Sequence, residues 1–296
     1  MKKKNIILTL IFFMFFCAVF CQTKNKSAIT KKTDYKIFVL NDIRREGNTD
    51  ILISPNADTI AKYIPSGSFP LAINAFLVQQ NGENFLFDTG LGINLVGNLK
   101  SHGVLPEQIS KIFITHCHGD HIGGLLNEGE IVFPHAEILI NRIEYNYWTQ
   151  EGNELFAQVA NRYKEKIKLF DLDENRSEND LLYSDIQPVA AYGHTPGHTM
   201  YLIGTEENQT LVWGDLTHVI PLQMPHPEQS VTYDVNPQQA AETRQRIFKF
   251  LSENHIKVAG MHLPLPAFGF VTKGKSIGYE FNSYKKQGNC KSNKVR

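Results

Sequence analysis

The chain has 296 residues, 42% of them hydrophobic, and its 30 Lys and Arg residues balance 30 Asp and Glu residues to a formal net charge of zero. That length buries one large core or two modest ones. The charge balance supplies neither a basic face for nucleic acid nor an attraction to an acidic membrane surface. Of the four cysteines, Cys17 and Cys21 fall in an N-terminal apolar segment, Cys117 in a histidine-rich loop and Cys290 in a polar tail. They make no disulfide framework, so stability must come from a core, from bound metal or from both.

Lys2, Lys3 and Lys4 precede an apolar run from Ile6 to Phe20. A basic start before an apolar stretch of that length reads as a secretory signal, and it falls short of the roughly 20 apolar residues of a membrane span. The expected organisation is a signal peptide over 1–21, a polar tether over 22–33, one domain over 34–285 and a polar tail over 286–296. Cleavage after Cys21 makes the protein secreted or periplasmic, with no membrane span in the mature chain. Lipoprotein processing at Cys21 is the rival reading, disfavoured because Phe20 stands where a small residue is usual. An uncleaved anchor is a third.

Within the domain, short apolar runs alternate with turn residues. Strands are expected at 35–40, 71–78, 85–87, 112–115 and 137–140. Asn141 caps a helix holding Tyr145, Tyr147 and Trp148. Leu155, Phe156, Val159, Tyr163 and Ile167 mark an amphipathic helix over 153–168. The acidic stretch 171–180 reads as a loop. Strands return at 186–192, 200–203 and 210–213, Pro237 opens a helix that runs to about 252, and a last strand covers 256–260. Strands and helices mix without strict βαβ alternation, which favours one domain with two sheets over a doubly wound fold.

The stretch THCHGDHIGG, residues 115–124, places His116, His118, Asp120 and His121 within six positions. A structural zinc finger uses cysteines at wider spacing, so this loop has another purpose. Gly119, Gly123 and Gly124 let it bend tightly, and a tight loop entering a helix can divide these side chains between two ions. His198 in GHTPGHT, Asp215 in WGD and His262 in GMHLP each lie where an apolar run gives way to a loop, the place where a scaffold presents functional groups. Five histidines and two aspartates make a nitrogen and oxygen set suited to zinc. His102, His135, His194, His226 and His255 carry no ligand pattern and read as structural or solvated. Cys117 reads as a packed small side chain, because it alternates away from His116 and His118.

HCHGDH followed by His198, Asp215 and His262, with FDTG at 87–90, resembles the metallo-β-lactamase superfamily over about residues 35–285. The resemblance implies an α+β fold, an αββα four-layer sandwich with two divalent metal ions, Zn2+ by preference, at one edge. It assigns His116, His118 and His198 to one ion, Asp120, His121 and His262 to the other, and Asp215 to both. Asp88 would orient the ligand loop from behind. HTPGHTMYLI, VWGDLTHV and GMHLPLPAFGFV carry a closer likeness to exported N-acyl-homoserine lactonases and to methyl parathion hydrolase-like proteins. Those lactonases hold the substrate carbonyl with a tyrosine three residues after the bridging aspartate, where this chain has His218.

The likeness implies that hydroxide, generated from a water shared by the two ions, attacks a carbonyl carbon or phosphorus. Asp120 would pass a proton to the leaving oxygen and His218 would stabilise the oxyanion. The expected activity is an N-acyl-homoserine lactonase acting on a small-molecule substrate. A phosphotriesterase or aryl-esterase is the alternative, and a metal-binding protein without turnover a third reading. Tyr147, Trp148, Phe156, Phe268 and Phe270 are candidates to line an apolar pocket for an acyl tail. A homodimer is compatible with the resemblance.

Overall fold

The computed structural model describes residues 34–172, 182–205 and 208–284. The expected signal segment, tether and tail, and the acidic loop from 173 onward, lie outside these residues. The two sheets among these residues are built from β1 Tyr35–Asn48, β2 Ser68–Gln80, β3 Glu83–Phe87, β4 Ile109–Phe113, β5 Glu137–Asn141, β6 Ile167–Phe170, β7 Ile186–Ala190, β8 Thr199–Ile203, β9 Thr210–Val212, β10 Lys257–Ala259, β11 Phe268–Lys273 and β12 Tyr279–Ser283. The helices are α1 Ala57–Tyr63, α2 Leu95–Ser101, α3 Gly119–Ile122, α4 Arg142–Glu151, α5 Glu154–Arg162, α6 Ile220–Gln223 and α7 Pro237–Asn254. A two-residue hairpin, Leu126–Asn127 with Glu130–Ile131, completes the described strands.

β1 to β6 form one six-stranded sheet in chain order, and β12 to β7 form the second in reverse order. The first is antiparallel from β1 to β3 and parallel from β3 to β6. In the second, β9 and β10 are the parallel pair. Period-two alternation gives both faces of β2 and β3 something to bury. Phe76, Val78, Phe85 and Phe87 face a core shared with Met200, Tyr201, Val212 and Val258 of the second sheet. Ala75, Leu77 and Leu86 face the other way, onto Leu95 and Leu99 of α2 and Phe156 and Val159 of α5. Ile247, Phe248 and Leu251 of α7 join the first of these cores. The result is the expected αββα sandwich.

Aromatic packing joins the sheets directly below the loop that follows β4. Phe87 stacks on Phe113 at 4.9 Å, Tyr201 meets Phe113 edge-on at 5.5 Å, and the Tyr201 hydroxyl donates to the Ile114 carbonyl at 2.7 Å. Replacing the fully buried Phe113 by alanine is expected to cost about 3–5 kcal/mol, read as a fall in the urea midpoint of the metal-loaded protein. An unchanged midpoint would show that this stack is not the joint between the sheets.

Three sequence expectations shift. The helix expected over 153–168 ends at Arg162, and Ile167 starts β6 instead. The Tyr163 hydroxyl donates to the Leu125 carbonyl and accepts from the Phe133 N–H, so the chain is pinned there and turns back to extend the sheet beside β5. The hairpin β11–β12 was not anticipated. Within it Phe268 packs on Phe76 at 5.4 Å and Phe270 lies beside Tyr284. Phe156 is buried under the first sheet and Phe268 packs against the core between the sheets, so these two aromatics serve the fold.

Candidate metal centre

The C-terminal ends of the parallel strands converge at one edge of the sandwich. Asp88 follows β3, the histidine loop follows β4, Asp215 lies beyond β9 and His262 beyond β10. Asp88 is buried, with φ +56°. Its carboxylate accepts from the Thr115 N–H at 2.8 Å, the Thr115 hydroxyl at 2.7 Å and His121 Nδ1 at 2.6 Å. Thr89 adds two bonds to the His121 carbonyl, both 2.8 Å. The FDTG segment thus holds the histidine loop from behind, as expected of Asp88.

Three donor groups form. His116, His118, His194 and Asp215 make one, Asp120, His121 and His262 a second, and Asp215, His218 and His262 a third. Asp215 lies between them: its Oδ2 is 3.3 Å from His194 Nε2, 2.9 Å from His218 Nε2 and 3.0 Å from His262 Nε2, while its Oδ1 is 3.1 Å from His121 Nε2. Six of the seven residues expected to hold metal are brought together here: His116, His118, Asp120, His121, Asp215 and His262.

The seventh, His198, is not, and His194 stands in its place. His198 is buried; its Nδ1 donates to the Ala191 carbonyl at 3.1 Å and its Nε2 accepts from the Asp215 N–H at 2.9 Å. Both ring nitrogens are spent on backbone. Gly214, with φ +58°, makes this approach possible, since a Cβ there would lie 2.4 Å from His198 Nε2. His194, read from sequence as structural, donates from Nδ1 to Asp234 Oδ1 at 2.9 Å and turns Nε2 to within 3.0 Å of His118 Nδ1. Both histidines of GHTPGHT suit a ligand by residue type. What separates them is position: His198 adjoins β8, beneath Asp215, and His194 lies free of the ladder. Asp234 was also missed; it takes the Val231 N–H at 3.1 Å and faces Arg244 Nη2 at 3.6 Å.

The outward ring nitrogens show which way each imidazole must point. His116 Nδ1 lies 3.1 Å from the Thr115 hydroxyl, which donates to Asp88, so His116 donates there. His262 Nδ1 donates to the Ala72 carbonyl at 2.9 Å. Such outer partners fix the tautomer and leave the inner nitrogen as a lone pair. The inner nitrogens converge: His116 Nε2 and His194 Nε2 lie 2.9 Å and 3.0 Å from His118 Nδ1. His121 Nε2 and Asp215 Oδ1, buried and 3.1 Å apart, have no hydrogen-bond partner. Such groups need either a proton or a cation between them, and one divalent ion satisfies several of them at once. The donor set therefore fits a divalent ion.

The electrostatics agree. Burial pushes His116 well below the ordinary histidine pKa and His118 and His198 down to about 3, with neighbouring histidines adding to the effect. Burial would also lower His121, but Asp215, Asp88 and Asp120 overcome it and raise it well above the ordinary value. His194 is raised to about 9 against its burial by Asp215 and Asp234. Burial would raise Asp215, yet His121, His262, His116 and His218 hold it well below the carboxylate range. Buried carboxylates thus concentrate a demand for positive charge at the centre.

Asp120 is the more open carboxylate, its side chain 26% exposed. The His218 ring stacks on His262 at 4.8 Å, and its buried Nδ1 lacks a partner. Trp148 packs edge-on to His118 at 5.3 Å, with Tyr147 beside it, and the half-exposed Tyr233 lies 5.8 Å from His218. Of the five aromatics expected at a pocket, only these tryptophan and tyrosine neighbours of α4 are near the centre. Cys117 is buried in the core beneath α5.

The family model of the metallo-beta-lactamase superfamily matches residues 68–255. The chain belongs to that superfamily. Among solved members, hydrolase AbOPH superposes with a TM-score of 0.77 at 26% identity, covering 86% of this chain and 96% of that one. AidC, a dizinc quorum-quenching lactonase in complex with the product N-hexanoyl-L-homoserine, superposes at 0.75 with the same identity and coverage. Among curated relatives, uncharacterized protein YobT of Bacillus subtilis is 26% identical over 147 residues, 48% of this chain and 61% of that protein. An N-acyl homoserine lactonase of Bacillus sp is 31% identical over 115 residues, 38% of this chain and 40% of that protein. The chain thus spans less than two thirds of the length of these curated relatives.

Proposed function

We propose that this protein is an exported, dinuclear metal-dependent hydrolase that opens the ring of N-acyl-homoserine lactones. The observation that carries the reading is the Asp215 carboxylate, with one oxygen turned to His194, His218 and His262 and the other to His121. In this reading His116, His118 and His194 hold one zinc ion, Asp120, His121 and His262 the second, and Asp215 both. Such a pair supplies an activated water and polarises the substrate carbonyl when bound.

The chain's own residues do the rest. Asp88, Thr115, Asp234 and the Ala72 carbonyl keep the ligand nitrogens aimed inward. Asp120, the more open carboxylate, takes the proton released as water adds to the carbonyl and passes it to the leaving alkoxide oxygen as the ring opens. His218 Nε2, now 2.9 Å from Asp215 Oδ2, donates to the oxygen that becomes negative. Trp148 and Tyr233 offer apolar surface to an acyl chain. The lactone assignment draws on the likeness to AidC and its bound product, and export on the basic and apolar start of the chain. No helix among the described residues is long and apolar enough to cross a membrane.

The test is a panel of zinc-loaded protein against hexanoyl-homoserine lactone, paraoxon, 4-nitrophenyl acetate and a β-lactam. The lactone is expected to lead in kcat/KM by at least about 100-fold. Phosphotriester turnover without lactone turnover would replace this reading with a phosphotriesterase. On the lactone, His218→Phe is expected to lower kcat by about 10²–10³-fold with two zinc ions retained. An unchanged kcat would remove His218 from the chemistry.

A further inference from the structure

Glu144, in the first turn of α4, is a fully buried acid outside the donor groups. Its Oε1 accepts from the Cys117 N–H at 2.9 Å and from the Trp148 indole at 2.6 Å. Its Oε2 accepts from the Thr195 hydroxyl at 2.6 Å and the Gly197 N–H at 3.0 Å. The Cys117 peptide lies between His116 and His118, and Thr195 immediately follows His194. One carboxylate therefore grips the two loops that supply the three histidines of the first donor group. It also holds the indole that packs on His118.

All four partners are donors, and an ionised carboxylate has about four lone-pair sites to receive them. A glutamine would turn an N–H₂ group toward one pair of donors and leave them unpaired. Burial raises the Glu144 pKa, and the four donors act against that rise. The approach of the second loop is close: a Cβ on Gly197 would lie 2.2 Å from the Glu144 nitrogen. Asn141, which caps α4 by accepting from the Ile143 N–H, also donates to the Thr199 hydroxyl at 3.2 Å. The start of α4 is thus docked on both sides of its carboxylate.

We propose that Glu144 is a positioning residue that sets His118 and His194 in register with each other across the two loops, so that both ring nitrogens meet one ion. The proposal rests on the metal reading of the preceding section but not on any substrate. Its predicted consequence is that Glu144 governs affinity and geometry at the first metal position more than it governs folding.

The experiment compares wild type, Glu144→Gln, Trp148→Phe and, as a control for general destabilisation, Val159→Ala beneath α5. Zinc affinity is measured by chelator competition without substrate, and the visible spectrum of the Co2+-loaded protein reports ligand geometry. Glu144→Gln is expected to weaken the first zinc by about 10–100-fold and to change the Co2+ spectrum. Trp148→Phe, which removes one of the four bonds, is expected to weaken it several-fold. Val159→Ala is expected to lower the Tm and leave zinc affinity unchanged. Should Glu144→Gln not fold, Trp148→Phe decides: wild-type affinity and spectrum there overturn the proposal. Wild-type affinity in a folded Glu144→Gln overturns it as well. If wild type itself takes up no zinc, the metal reading fails first, and that result is distinct from either.

Discussion

Alanine at His194 is expected to empty the first metal position and lower kcat/KM on the lactone by about 10³-fold, the equivalent of roughly 4 kcal/mol of transition-state stabilisation. Alanine at His198 is expected to do less. His194 presents Nε2 to the His118 and Asp215 side chains, and Asp234 holds its other nitrogen. Without that ring the first donor group loses one of its three imidazoles. His198 instead supports the Asp215 backbone. Its loss strands a buried N–H, at about 1–3 kcal/mol of stability, and disturbs from behind the carboxylate proposed to serve both ions, at about 10–100-fold in affinity. Metal analysis of the two purified variants, with kinetics, separates them. One ion in His194→Ala and two in His198→Ala is the expected pattern; the reverse would return His198 to the ligand set.

Chelation of both ions is expected to abolish turnover and to lower the melting temperature by about 6–15 °C for each ion removed. An ion present at 100 to 1,000 times its Kd contributes about 2.7–4.1 kcal/mol, and each kcal/mol moves the midpoint of a domain this size by about 2–4 °C. The structural cause is the set of groups that need a proton or a cation between them, above all His121 Nε2 and Asp215 Oδ1. Protons compete for the same place. His194 is raised to about 9, so below that pH it carries a proton that an ion must displace, and zinc affinity is expected to fall as pH falls. Calorimetry of chelated and zinc-restored protein across pH checks both statements. Equal melting temperatures with and without zinc would mean that the ions are not part of the folded structure.

Much of this architecture was legible in the sequence because its signals are local. Apolar runs bounded by turn residues marked β2 and β3, Asn141 and Pro237 marked helix starts, and HCHGDH marked one loop. The misreadings have a common physical origin, in contacts made far along the chain. His194 and His198 differ by four positions and share a motif; only the close approach at Gly214 and the partner Asp234 tell them apart. Glu144 looks like an ordinary helix acid until its four donors are placed around it. Phe268 suggested a pocket because composition does not reveal which residues of a hairpin meet the core.

The most direct test of the central claim is a zinc titration of the metal-free protein, with hydrolysis of hexanoyl-homoserine lactone followed at each addition. A two-ion site predicts no turnover without zinc and activity that saturates as the second equivalent is bound. Full activity in the metal-free protein, or no lactone opening after two equivalents are bound, would contradict it.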